Sequence, residues 1–427
     1  MIKEIKDNRL YWDGCDTVQL AKKYGTPLYV YAERDITGRF DELRRDFVEK
    51  YENTRVAYAA KAFFPLAMAK LTADCGMCVD VVSGGELYTA IKAGFPAERI
   101  EFNGNNKSRA ELEMAVEYGI GRIIIDSLQE LALIEEVCRE KGKTMKVLFR
   151  ITPGVKSSTH DYIVTGKKDS KFGIPLDADV IFPQIEAAIA SAYVELYGLH
   201  FHVGSQLLDN DSHLQALDIL LELVSEVKDR LGFDMKELNL GGGFGVTYVD
   251  EKRPPYRYFL DPMMEKIDTY CRERGVTRPN VVIEPGRSIV AEAGITLYTV
   301  GSIKEIKGVR KYMSVDGGMT DNIRPALYQA AYTGALANRA AETADDVVTV
   351  CGKCCESGDI LIKDLALPRP AAGDIFVTYS TGAYGYSMAS NYNKNTIPAV
   401  VFVREGRDRL VVRRQTYDDM IRNECIE

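Results

Sequence analysis

VAYAAKAFFPLAMAKLTADCGMCVDVVSGGELYTAIKAG, residues 56–94, decides the architecture. Two short apolar runs, VAYAAK (56–61) and MCVDVVS (77–83), are each followed by an amphipathic stretch, PLAMAKLTADCG and GGELYTAIKAG. A strand followed by a helix, repeated, is the unit that lays strands side by side in parallel. The same alternation continues through IEFNG (100–104), RIIIDS (122–127), MKVLFRI (145–151), VELYGLHFHVG (194–204), ELNLGG (237–242) and NVVIEPG (280–286). One intervening segment opens with Ser108 and carries Glu111 three residues later, which predicts a capped helix start.

Eight strands alternating with helices predict an α/β fold, a TIM-like (β/α)8 barrel over residues 33–288. A doubly wound open sheet is the rival, and it would want one crevice at a switch point rather than polar residues after many strands. Here Lys61, Asp80, Asn103, His202, Gly241–Gly243 and Glu284 all fall at the C-terminal ends of the proposed strands. In a barrel those ends converge on one mouth. TPGVKSSTHDYIVTGKKDSKFGIPL (152–176) is too long for a plain connection and reads as a flap over that mouth or a surface excursion.

After about 290 the texture becomes short strands with alternating faces, among them KYMSVDGG, DVVTVCGK, DIFVTYS and PAVVFVRE. Residues 289–427, together with 1–32, are expected to form a β-rich sandwich or barrel domain.

The chain of 427 residues has 46% hydrophobic and 27% charged residues and a formal charge of −8, without a basic stripe. This argues against nucleic acid and anionic membrane surfaces as partners. No apolar run approaches the roughly 18 residues that span a bilayer, and MIKEIKDNRLYWDG lacks the apolar core of a signal peptide. A cytoplasmic location is expected. Nine cysteines, an odd number, suit free thiols better than a disulfide framework. Cys75-x-x-Cys78 and Cys351-x-x-Cys354 imitate a four-thiolate zinc site, but the spacing is loose, and no metal is expected.

Several residues could carry chemistry. Lys61 ends an apolar strand; desolvation would lower its pKa and suit it to Schiff-base chemistry, and a snorkelling strand-end lysine is the alternative. Gly241, Gly242 and Gly243 would let backbone N–H groups approach a phosphate, or they make a plain turn. Glu284 and Arg287, in EPGR, offer a carboxylate and a guanidinium, or a strand-end ion pair. His200 and His202 lie at i and i+2; a single imidazole facing the mouth, with Ser205 beyond, is preferred to a metal pair. Amine, phosphate cradle, carboxylate and arginine at one mouth together suggest pyridoxal 5′-phosphate.

VAYAAKAFF, DVVSGGELYTAIKAG, HDYIVTGKKDSKFGI, GLHFHVGSQ, LNLGGGFGV, EPGRSIVAEAG, MTDNIRPALY, CGKCCESGD and GAYGYSMASNYN carry a resemblance. In this order, from about 56 to 393, they resemble the fold-type III pyridoxal-phosphate decarboxylases, in particular the diaminopimelate decarboxylase branch. The resemblance implies decarboxylation of meso-2,6-diaminopimelate to L-lysine and carbon dioxide, the last step of lysine biosynthesis. It implies that Lys61 holds the cofactor, that His202 stacks on its ring, and that Glu284 meets its ring nitrogen. Ser205, Gly241–Gly243, Gly286, Arg287 and Tyr384 would hold the phosphate. Arg287, Arg324, Tyr328, Glu356 and Tyr384 would grip the remote end of the substrate, and Cys355 would deliver a proton. Asp80 and His160 match the pattern in supporting roles. The Cys355 loop would enter the partner's site in a homodimer with shared active sites. Two departures, AFF after Lys61 and Phe201 between the histidines, bear on the shape of the pocket. A decarboxylase of L-ornithine or L-lysine, an alanine racemase, and a non-catalytic cofactor-binding homologue are the alternatives; Glu284, where a racemase would carry an arginine, argues against the second.

Overall fold

The computed structural model describes residues 2–155 and 170–426. His160 and the middle of the 152–176 connection lie outside the described residues. The chain divides into two compact units, one of Phe40–Gly245 with Arg253–Gly286, the other of Met1–Arg39, Val246–Lys252 and Arg287–Glu427.

The chain begins with β1 (Lys3–Lys6), β2 (Arg9–Trp12), β3 (Cys15–Asp16), α1 (Thr17–Tyr24), β4 (Leu28–Ala32) and α2 (Glu33–Leu43). Then come β5 (Thr54–Ala59), α3 (Leu66–Asp74), β6 (Cys78–Val81), α4 (Gly84–Lys92), β7 (Ile100–Phe102), α5 (Arg109–Tyr118), β8 (Arg122–Ile125) and α6 (Leu128–Lys141). The alternation ends with β9 (Met145–Arg150), α7 (Ala178–Ala190), β10 (Val194–His200), α8 (Asp211–Leu231), β11 (Glu237–Asn239), α9 (Tyr256–Arg274) and β12 (Asn280–Ile283).

Strands β5 to β12 close a barrel in which β12 pairs with β5, and all its ladders are parallel. Seven of the eight sequence runs contain one of these strands whole, and VAYAAK (56–61) overlaps β5, which begins two residues earlier at Thr54. A parallel strand covered on both faces has to be apolar throughout, and β8, RIII, is buried along its whole length. Helix α5 starts as its capping signature predicts: Glu111 Oε2 accepts from the Ser108 N–H at 2.8 Å, Ser108 Oγ accepts from the Glu111 N–H, and Gly119 ends the helix in the left-handed region. The described ends of the 152–176 connection are pinned together. Ile151 bridges Ile174, and Thr152 Oγ1 donates to the Phe172 carbonyl at 2.6 Å.

The rest of the chain is α10 (Arg287–Val290), β13 (Gly294–Ile306), β14 (Arg310–Val315), α11 (Arg324–Tyr328), β15 (Gly334–Leu336), β16 (Asp346–Cys351), β17 (Ile360–Leu367), β18 (Ile375–Thr378), β19 (Ala399–Arg404), β20 (Arg407–Val412) and α12 (Tyr417–Ile421). A mixed sheet runs β17-β16-β14-β13-β4-β19-β20, with β18 pairing β13 and β15. Strand β4, LYVYA, is buried at every residue although it comes from the start of the chain. Its tyrosines are satisfied: Tyr29 donates to the Asp321 carbonyl at 2.6 Å and Tyr31 to the Gly382 carbonyl at 2.8 Å. Burying side chains of this size stabilises the fold by about 1.5–3 kcal/mol each. Among the described residues no helix is long and apolar enough to cross a membrane.

Candidate active site

The C-terminal ends of the barrel strands carry a connected polar cluster. Glu284 directly follows β12 and is buried. Its Oε1 accepts from Asn103 Nδ2 at 3.0 Å and from Asn239 Nδ2 at 2.8 Å, and His200 Nε2 lies 3.2 Å from Oε2. Asn103 also donates to Asp80 Oδ1 at 2.7 Å, and Asn239 donates to Glu101 Oε1 at 3.3 Å. One oxygen from each of Asp80, Glu101 and Glu284 lies within 4.8 Å of the others. It is the grouping of possible metal ligands among the described residues, and it contains no cysteine.

Three carboxyl groups this close cannot all ionise cheaply. Burial and the Glu284 charge push Asp80 and Glu101 well above the ordinary carboxyl range. Burial also works against the Glu284 anion, but the interactions with His200, then with His202 and the charge of Lys61, outweigh it, and its pKa falls below the usual value. Burial lowers the pKa of His200, so it serves as a neutral hydrogen-bond partner.

Lys61 lies past β5 on a single turn of 3-10 helix, Ala60–Ala62. Ala60, Ala62 and Phe63 are buried and Lys61 is exposed. The expectation of a desolvated lysine is thus not met: the backbone turns after Ala59 and carries the side chain out of the apolar strand. His202 likewise lies beyond β10, which ends at His200, so the two histidines do not share a strand face as expected. His200 goes to Glu284, and His202 Nδ1 accepts from the Gly242 N–H at 3.2 Å, which orients the ring. Burial, then the charges of Lys61 and Arg150, keep His202 neutral, well below the ordinary imidazole range.

The glycine run is required by close approach. A Cβ on Gly241 would meet the Phe201 carbonyl at 2.4 Å, one on Gly242 the Glu284 carbonyl at 2.1 Å, and one on Gly243 the Gly204 carbonyl at 2.6 Å. The Glu284 N–H in turn donates to the Gly241 carbonyl at 2.7 Å. His213 on α8 supports the loop from behind, bonding the Gly242 carbonyl at 2.8 Å while its ring stacks on Phe244. Ser205 stands half-buried beyond His202, and Gly286 packs its Cα face against Ala59 and Ala62. Sequence reasoning passed over His213, Asn239 and Glu101. The available signal was a polar residue inside an otherwise apolar strand or helix face.

The β-rich unit carries a second cluster. Arg287, the first residue of α10, donates to the Tyr248 hydroxyl at 2.6 Å and lies 4.8 Å from the ring of Tyr384. Tyr384 has φ +61°, a conformation a tyrosine holds only under constraint. Arg324, on α11, is buried and donates to the Tyr332 hydroxyl. Its guanidinium faces the Tyr248 ring at 4.9 Å and the Tyr332 ring at 5.5 Å. Among the described residues no carboxylate pairs with it. Tyr328 is half-buried at the end of the same helix. Tyr248 and Tyr332, absent from the sequence-based site, complete the cluster edge to face at 5.3 Å.

The three clustered cysteines separate by environment. Cys351 Sγ, at the end of β16, lies 3.4 Å from Ser314 Oγ, and burial pushes its thiol up. Burial pushes Cys354 up to about 11. Cys355 is exposed, and its N–H donates to Asn393 Oδ1 at 2.7 Å. Glu356 beside it is exposed and accepts from the Gly358 N–H at 3.3 Å. None of the described bonds of Cys355 or Glu356 reaches Arg324 or Tyr384.

A family model described as "Pyridoxal-dependent decarboxylase, pyridoxal binding domain" matches residues 35–291. The chain belongs to this family of pyridoxal-dependent decarboxylases. Within it the similarity is to diaminopimelate decarboxylases. That of Bacillus subtilis (strain 168) is 50% identical over 410 residues, covering 96% of this chain and 93% of the relative. The solved diaminopimelate decarboxylase of M. jannaschii, in co-complex with L-lysine, superposes with a TM-score of 0.93 at 37% identity, covering 100% of this chain and 98% of that one. The Helicobacter pylori enzyme complexed with L-lysine gives 0.88 at 31% identity, over 96% and 99% of the two chains.

The barrel residues fit the cofactor of this family. An accessible primary amine, a glycine cradle with no room for a Cβ, and a carboxylate held as an anion by three hydrogen-bond partners are the donor set that pyridoxal phosphate requires.

Proposed function

We propose that this pyridoxal-dependent amino-acid decarboxylase converts meso-2,6-diaminopimelate to L-lysine and carbon dioxide, the last step of lysine biosynthesis. The observation that carries the substrate choice is Arg324. A buried guanidinium bonded to a phenol, with no carboxylate partner among the described residues, is suited to a carboxylate that arrives with the substrate. Diaminopimelate has a second carboxylate remote from the reacting carbon; L-ornithine and L-lysine do not.

Bound pyridoxal phosphate supplies an electron sink for the pair left behind when carbon dioxide departs. Lys61 provides the amine that tethers it. Glu284, anionic and held by Asn103, Asn239 and His200, keeps a proton on the ring nitrogen. The neutral ring of His202, fixed by the Gly242 N–H, gives a flat apolar face for stacking. Backbone donors of Gly241–Gly243, with Ser205, Gly286, Arg287 and Tyr384, hold the phosphate. Arg324, with Arg287, Tyr328, Glu356 and Tyr384, grips the far end of the substrate. Cys355 delivers the proton that replaces the lost carboxylate, and its exposed loop does so in the partner of a twofold dimer. Nine cysteines with no disulfide between them fit a reducing cytoplasm as the place of work.

Carbon dioxide release from meso-diaminopimelate, L-ornithine and L-lysine, each with and without added pyridoxal phosphate, tests the reading. Cofactor-dependent release from diaminopimelate alone is expected. A preference for ornithine would overturn it.

A further inference from the structure

We propose that Glu101 stands as a neutral carboxylic acid beneath Glu284, and that Asn103 and Asn239 are positioning residues that make Glu284 the anion of that pair. The proposal rests on the reading that Glu284 serves the ring nitrogen of the cofactor, and it extends that reading to Glu101, which has no role in it so far.

The geometry begins with two amides. Asn103 divides its two N–H groups between Asp80 and Glu284, and Asn239 divides its own between Glu101 and Glu284. Asn239 is locked in this sense because its Oδ1 accepts from the Gly241 N–H at 3.0 Å. Glu284 therefore collects two amide donors and His200. Glu101, fully buried, receives one long bond at 3.3 Å, and its Oε2 has no hydrogen-bond partner. An anion with a single weak donor in a buried site is costly.

Two buried acceptors of this cluster have no hydrogen-bond donor: Glu101 Oε2, on β7, and Asn103 Oδ1, one residue past the end of that strand. A proton on Glu101 gives that residue a donor in place of an unsatisfied acceptor.

The charged groups around Glu101 come from four strands. Glu284 on the β12 end and Asp80 on β6 oppose its ionisation, as does Glu237 on β11. Arg122 on β8 favours ionisation, but its Nη1 is 3.7 Å from Glu101 Oε2, while its Nε lies 3.0 Å from Glu237 Oε1. Glu237 also binds Arg55 on β5, so it is the bridged partner of both guanidiniums. Burial adds to the preference for the neutral acid, in the direction already described for this group.

Infrared difference spectroscopy of the holoenzyme at neutral pH reads the proton directly. Subtracting Glu101→Gln from the parent should leave the C=O band of one protonated carboxyl group and no carboxylate band. Glu101→Leu serves the same subtraction should the first variant fail to accumulate. A carboxylate band in either difference overturns the proposal. The amides are tested by Asn239→Leu and Asn103→Leu, in which the Glu284 carboxylate band, read against Glu284→Gln in the same background, should be lost on acidification at a higher pH than in the parent, because Glu284 loses a donor; a band that persists to the parent's pH in both variants overturns it too. The reading of Glu284 fails separately. If Glu284→Gln keeps full turnover, that role is wrong, and the infrared result for Glu101 is untouched.

Discussion

Arg324→Leu tests the substrate reading most sharply. Arg324 is 6% exposed, its Nη1 bonds the Tyr332 hydroxyl, and two tyrosine rings flank its guanidinium. A charge-assisted pair in such a site is worth about 2–5 kcal/mol when one partner is truncated. At about 1.4 kcal/mol per factor of ten, kcat/KM for meso-diaminopimelate should fall by roughly 30- to 3,000-fold, mostly through KM. Stability should respond differently. The apoprotein loses one hydrogen bond to Tyr332, worth about 1 kcal/mol, and is relieved of a buried cation with no carboxylate partner among the described residues. A Tm within a few degrees of the parent is therefore expected. The assay is steady-state carbon dioxide release, with residual release from L-lysine as the internal control, since L-lysine has no distal carboxylate to lose. If Arg324→Leu lowers release from both substrates by the same factor, the arginine does not read the distal carboxylate, and the choice of diaminopimelate loses its support.

Lys61→Ala should abolish the yellow absorbance of the bound cofactor; an unchanged spectrum would place the tether on another lysine. Cys355→Ala should keep that absorbance and lose most turnover. Mixing it with Lys61→Ala should then restore about a quarter of parental activity, because half of randomly paired dimers carry one complete site of two, and no recovery would exclude shared sites. Asp321, buried beside Tyr298 and the Gly318 N–H, is pushed up to about 7 by burial. A carboxyl raised in the folded state favours folding at low pH and loses that contribution as pH rises through the folded value. Between about pH 4 and 7 the loss is about 4 kcal/mol at most. Asp321→Asn should flatten the fall in unfolding free energy over that window, as followed by urea titration; a slope unchanged from the parent would contradict the burial argument.

Legibility followed the range of the interactions. The barrel strands and the capped start at Ser108 are readable because each depends on residues a few positions apart, and buried parallel strands must be apolar throughout. The motifs VAYAAK, GGGFG and EPGR stand out in the sequence for the same reason, each being a few adjacent residues at a strand end. Lys61 stands at the end of its strand as the sequence predicts, but it is exposed and not buried, because a 3-10 turn, Ala60–Ala62, follows β5 directly and the alanines and phenylalanine around the lysine do not encode it. His200 and His202 look alike in HFHVG, and only the position where β10 ends sends one to Glu284 and the other to Gly242.

What the chain order alone determined is the alternation of strand and helix, and so the placing of Lys61, the glycine run and Glu284 at strand ends. What only the tertiary structure decided is which of those groups is charged. Asp80, Glu101 and Glu284 are separated by 204 positions from first to last and come within 4.8 Å because β6, β7 and β12 lie in one closed sheet. Ionisation depends on burial and on the number of donors at that distance, and neither quantity exists until the barrel closes.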